Sequence, residues 1–343
     1  MKYNGVNRIY ELDYIRAVSA LLIVLYHYTT QYNNSIGHLG NWPISVPWGC
    51  WAVNTFFLLT GYLTLRNFKD GGIRFVLKRF FRLWPAFAVC VLITSGFMAV
   101  MLPERLRSVT DILLNFTMFP SYLGAEAVDG VYWTLQVEII FYFWIMLFMI
   151  GKKEPVVKVC LYGWAVIAIG VSICASVDIE PLPVKLLRIA FTTERAACFI
   201  LGAGIYLLER AERSQKWKVI PLLVVGCVAV YFYQGLQVCI WTACWTALIW
   251  AVTCGKVRFA LSGGSLLHKC ILFVSTISYP LYLLHQFIGF AIIRKIELLG
   301  GYNQIWILVP FAVSMILASG VYYFVEKPAA RLAANVLRQQ KER

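Results

Sequence analysis

VYWTLQVEIIFYFWIMLFMI, residues 131–150, is twenty residues long and holds one charged side chain, Glu138. Roughly twenty mostly apolar residues carry an α-helix across the hydrocarbon core of a bilayer. A carboxylate inside such a run is costly in lipid, and ionisable groups found there usually face a protein interior or a water-filled path. The stretch therefore points to a membrane-spanning helix and to chemistry inside the bundle.

Working outward, nine more runs of this kind lie at 14–32, 50–66, 83–102, 157–176, 188–208, 219–234, 237–254, 270–293 and 304–325. The fold they predict is all-α: a polytopic bundle of about ten transmembrane helices. We expect a single membrane-embedded domain over 1–343, with no appended soluble domain and no internal repeat. Composition agrees, with 60% hydrophobic and 14% charged residues, where a soluble domain has about a quarter charged. The formal charge of +14 does not indicate a nucleic-acid partner, because Lys and Arg fall in short clusters between apolar runs rather than on one face of a polar domain. The expected partner is the lipid bilayer. The ten cysteines form no C-x-x-C pair and no zinc spacing, so they are expected as small free hydrophobes, with no metal site. The run Ala17–Tyr28 is not followed by an A-x-A-like cleavage site and is expected as a retained helix rather than a signal peptide.

With the N-terminus placed in the cytoplasm, 24 of the 31 Lys and Arg residues fall on the cytoplasmic side, and the first outer loop, 33–49, has none. That is the positive-inside pattern. It puts both termini in the cytoplasm, which an even helix count allows. Residues 103–130 form the longest outer segment, with a short helix expected around Asp111–Phe119 on or dipping into the outer face.

The residues costly in lipid are the functional candidates. Arg16 and His27 are eleven residues apart, three helical turns plus about 20°, so they share a face with about 16 Å between them. If the fourth helix enters from outside near residue 131, Glu138 is about 10 Å deep, near His27's level. A carboxylate beside an imidazole can fix its tautomer and orient it as a base. Arg195 and His285 are expected in the outer half of their helices, where either could line an acceptor site. The stretch 66–85 carries six cations, aromatics, Gly71 and Gly72, and could hold the phosphates of a nucleotide-bearing donor. Each has a plain alternative: a snorkelling Arg, a core His, a buried ion pair, an ordinary positive-inside loop. His38 and His268 lie in polar connections and read as surface residues.

Six blocks together resemble the acyltransferase-3 family of integral membrane O-acyltransferases. ELDYIRAVSALLIVLYHY (11–28) is similar to its signature of a basic residue, ten residues, then His, here Arg16 and His27. WAVNTFFLLTGYL (51–63) resembles its second-helix pattern, with Thr60 where Ser is usual. KRFFRLWPAF (78–87), YWTLQVEIIFY (132–142), SYPLYLLHQ (278–286) and YYFVEKPA (322–329) complete the set. The resemblance implies transfer of an acyl group, most often acetyl from cytoplasmic acetyl-CoA, to a hydroxyl of a cell-surface glycan or lipid-linked sugar, in a bacterial plasma (inner) membrane.

On that reading His27 is the base, Glu138 its orienting acid, and Arg16 with Lys78, Arg79 and Arg82 hold the CoA end of the donor. Arg195, His285, Asn54 and Tyr282 line the acceptor site. Direct transfer and an acyl-His27 intermediate are both open. So are a small secondary metabolite as acceptor and a transporter or permease with an intramembrane Arg/His/Glu site, since such residues also mark transport paths. The ordered blocks and the lack of a visible repeat favour the enzyme. Oligomeric state is not legible.

Overall fold

The computed structural model describes residues 2–3, 6–40, 42–67, 73–148, 154–259, 261 and 264–342. Gly71, Gly72, Lys69, Lys152 and Lys153, which belong to the predicted basic loops, lie outside the described residues. The described chain is helical apart from a two-residue strand pair, Lys2–Tyr3 with Val6–Asn7. In order, the main helices are α1 (Tyr10–Tyr26), α2 (Ala52–Asn67), α3 (Ile73–Met101), α4 (Trp133–Phe148), α5 (Glu154–Ser176), α6 (Leu182–Phe191), α7 (Thr193–Arg210), α8 (Ile220–Thr253), α9 (Leu266–Leu298), α10 (Leu308–Val321) and α11 (Lys327–Glu342).

Each predicted run is helical over most of its described residues. Among the described residues six helical stretches are long and apolar enough to cross a membrane, or seven if the bent pair α6–α7 counts as one span. The runs at 14–32 and 50–66 are helical but fall outside those six. Their α-helical parts, Tyr10–Tyr26 and Ala52–Asn67, are 17 and 16 residues long. The stretch Arg213–Thr253 is long because it contains two helices. Gly235 has φ +83° and ψ 173°, a conformation that glycine adopts without strain. The Cys239 thiol reaches the Cys227 carbonyl at 3.3 Å, whereas twelve residues of straight helix would separate them by about 18 Å. The chain therefore reverses at Gly235, as the separate runs 219–234 and 237–254 predicted. All ten cysteines are free.

The chain divides into two compact units. The first comprises residues 1–16, 51–75 and 137–269. Its centre is the α2–α7 crossing. A Cβ on Gly61 would lie 2.2 Å from the Phe199 carbonyl oxygen, and one on Gly202 would lie 2.0 Å from that of Leu58. Within a membrane, such small residues let backbones approach and gain packing that apolar burial alone does not supply. Phe141 stacks on Phe199 beside the crossing, with centroids 4.3 Å apart.

The second unit comprises residues 17–50, 76–136 and 270–343. The helix begun by α1 passes through a π-turn, His27–Gln31, and ends at Ser35. Tyr28 and Tyr32 are buried against Leu281, Phe290 and Ala291 of α9. Gly289 makes room for Tyr28, since a Cβ there would sit 2.1 Å from the tyrosine ring. The Tyr28 hydroxyl pairs with Ser314 of α10 at 2.9 Å.

Residues 103–130 do contain the expected short helix, Val109–Asn115. They do not stay at the end of α3. Trp84 Nε1 donates to the Phe116 carbonyl at 2.9 Å, and Trp84 is about 25 Å of helical rise from Met101. The segment thus doubles back along α3. Buried Asn115 holds it, donating to the Asp111 and Glu126 carbonyls and accepting from the Val128 amide. It delivers Asp129 to α9, where the carboxylate accepts from the Phe287 amide at 3.0 Å. The start of α4 is consequently beside Phe287, and α9 runs a further 16 Å or so to Leu298. The start of α4 is therefore not at the Leu298 end of α9, the entry that the depth arithmetic for Glu138 assumed.

Candidate active site

His27 and His285 meet in the second unit. His27 Nδ1 lies 3.0 Å from His285 Nε2 and 2.9 Å from the Ile23 carbonyl oxygen. His285 Nδ1 lies 2.8 Å from the Tyr282 carbonyl and 3.2 Å from that of Leu281. The rings meet edge to face, with centroids 4.8 Å apart. Local sequence produces both placements. His27 opens the π-turn, where one extra residue per turn re-aims side chains. His285 follows Pro280 by five residues within α9.

The two histidines differ in access. His285 is 0% exposed, and both its ring nitrogens are engaged within the protein. His27 is only partly buried. Its Nε2 takes no hydrogen bond among the described residues and is not among the sealed polar atoms. His27 therefore presents an open nitrogen. His285, expected as an acceptor contact, has both ring nitrogens engaged, one of them with His27. Tyr282, also expected at the acceptor, is half-buried with its hydroxyl 3.5 Å from the Val131 carbonyl.

Asp129 was not singled out in the sequence, because an Asp-Gly pair ahead of a span reads as turn punctuation. It is fully buried. One oxygen caps the Val131 amide at 3.1 Å, and the other takes the Phe287 amide. Gly130 fits tightly against Gln286, where a Cβ would fall 2.9 Å from the side-chain oxygen. Together they pin α9 next to His285.

The remaining candidates are placed as follows. Arg16 Nη1 is 3.5 Å from Asp13. Glu138 accepts from the Tyr142 hydroxyl, one turn away on α4. Near the start of α3, Lys78 and Arg82 are exposed one turn apart, with Arg79 half-buried between them. Asn54 and Arg195 do come together in the first unit. Arg195 donates to Gln234 at 2.8 Å and to Asn54 at 3.3 Å, and Asn54 donates to Gln234 and Thr242. Gln234, the residue before the reversal, joins them; nothing in its apolar run marked it.

The two histidines expected at the surface are buried. His38 Nδ1 is 2.8 Å from Glu297, and its ring stacks on Trp42. His268 Nδ1 is 2.5 Å from the Tyr14 hydroxyl. Both partners lie more than 250 residues away, and loop composition carries no trace of them.

A helical membrane protein with a paired-histidine site, one nitrogen open, is the class these features define. The acyltransferase-3 family profile, described as an acyltransferase domain, matches residues 9–324. The chain belongs to this family. It is 25% identical over 194 residues to a Staphylococcus aureus (strain COL) protein named "Putative O-acetyltransferase". That match takes in 49% of this chain and 30% of the relative, so the chain spans less than a third of that protein. No solved structure matches the chain.

Proposed function

We propose that the protein is a membrane O-acyltransferase that moves an acetyl group from cytoplasmic acetyl-CoA to a hydroxyl of a cell-surface glycan or lipid-linked sugar. The observation that carries this is His27: at the position of the family-like Arg-x10-His signature, it has one nitrogen paired inside the protein and the other open. A single acyltransferase domain would cross a bacterial inner membrane ten times, with both termini in the cytoplasm.

His27 takes the proton of the acceptor hydroxyl as its oxygen attacks the thioester carbonyl carbon. The carbon–sulfur bond breaks, and the CoA thiolate leaves with the proton that His27 returns. General-base catalysis of this kind is worth about 10²–10⁴-fold. Lys78, Arg79 and Arg82, within two turns of α3, attract the donor's phosphates; Arg16 orients its pantetheine arm. Tyr282 lines the acceptor path in the second unit; in the first unit Asn54 holds Arg195.

Addition of CoA to purified protein in nanodiscs should raise its thermal midpoint, and acetyl-CoA with a membrane glycan extract should release free thiol. A protein that ignores CoA in both assays is not an acyl-CoA transferase, and a transport role would replace this reading.

A further inference from the structure

The hydrogen bonds around the paired histidines fix where their protons sit. A carbonyl oxygen can only accept, so His285 Nδ1, held by the Tyr282 and Leu281 carbonyls, carries a proton. In a neutral imidazole the second nitrogen is then bare. A cationic His285 would be a fully buried charge with no carboxylate bonded to it among the described residues, which is a costly state. His285 Nε2 is therefore an acceptor. His27 Nδ1 faces two acceptors, this nitrogen and the Ile23 carbonyl. Either bond requires the proton of His27 to be on Nδ1. Its lone pair is left on Nε2, the open atom.

We infer that His285 is a positioning residue that, together with the Ile23 carbonyl, holds His27 in the tautomer whose Nε2 is the base, with Asp129 and Gly130 fixing His285's place along α9. This rests on the O-acyltransferase reading for its role, though not for its geometry. A base in the wrong tautomer would present N–H to the acceptor hydroxyl and could not take its proton. Asp129 acts at one remove. Its two backbone bonds join the start of α4 to the Phe287 amide, two residues from His285.

The test is nitrogen-15 NMR of histidine-labelled full-length protein in nanodiscs, with single His→Gln variants assigning the four histidines. The wild type should show His27 protonated at Nδ1 and bare at Nε2. In His285→Leu the Ile23 carbonyl is the one acceptor left to His27 Nδ1 among the described residues, and the Nε2-protonated tautomer, absent in the wild type, should become detectable. Turnover of radiolabelled acetyl-CoA should fall in proportion to the bare-Nε2 tautomer lost, about twofold for an even division, with its KM unchanged. His285→Gln, whose side-chain carbonyl can accept, should recover part of that turnover. A wild-type His27 protonated at Nε2 overturns the inference. So does a His285→Leu protein with unchanged tautomer and turnover. A wild type that has the expected tautomer but consumes no acetyl-CoA refutes the enzyme reading, and with it the role in catalysis, while leaving the tautomer assigned.

Discussion

His27 and His285 were both visible in the sequence, as ionisable residues inside apolar runs. Their pairing was not, because 258 residues separate them and the depth argument favoured Glu138 as the partner. Single polar residues in the 103–130 segment were equally opaque. Asp111 is one. It caps its own helix with Ser108 and accepts from the Glu126 amide. These bonds, the Ser108 hydroxyl first, hold its carboxyl below the ordinary value of 3.8. A carboxylate with a lowered folded pKa stabilises the fold fully above the unfolded value and loses that contribution as pH falls through the folded one. Acidification below about pH 3.8 should therefore loosen residues 103–130. Hydrogen exchange should record this in the wild type, and Asp111→Asn should already be loosened at neutral pH with little further change. An Asp111→Asn protein with the wild-type acid response would contradict the assignment.

At the scale of elements, helix positions were legible because membrane spans carry a strong composition signal, and the break at Gly235 falls between two separately read runs, 219–234 and 237–254. Helix contacts were less so. A glycine in an apolar run reads only as a weak helix former, and nothing local distinguishes Gly202, against the Leu58 carbonyl, from Gly163, with nothing within 4 Å of its would-be Cβ. That difference is testable. Gly202→Ala should force α2 and α7 apart and cost about 1–3 kcal/mol, seen as a lower unfolding midpoint in detergent. Gly163→Ala should be neutral or slightly stabilising, since alanine is the better helix former. Equal midpoints for the two variants would mean that the α2–α7 crossing is looser than described. The path of residues 103–130 along α3 was likewise hidden, because a Trp–carbonyl bond leaves no periodic trace.

For the whole molecule, the all-helical membrane class followed from composition and run length alone, and family membership followed from the ordered blocks. The chain enters each compact unit in three separate stretches, an organisation that local pattern cannot reveal. The proposed chemistry lies in the second unit's paired histidines, so the decisive measurement is acyl transfer by His27→Ala. Purified wild type and variant, both inserted in nanodiscs, would be given radiolabelled acetyl-CoA and membrane glycan extract, and label reaching the glycan would be counted with thiol release. The account predicts transfer by the wild type and loss of about 10²-fold or more in the variant, at unchanged CoA-dependent stabilisation. Transfer by His27→Ala at the wild-type rate would remove His27 from the mechanism.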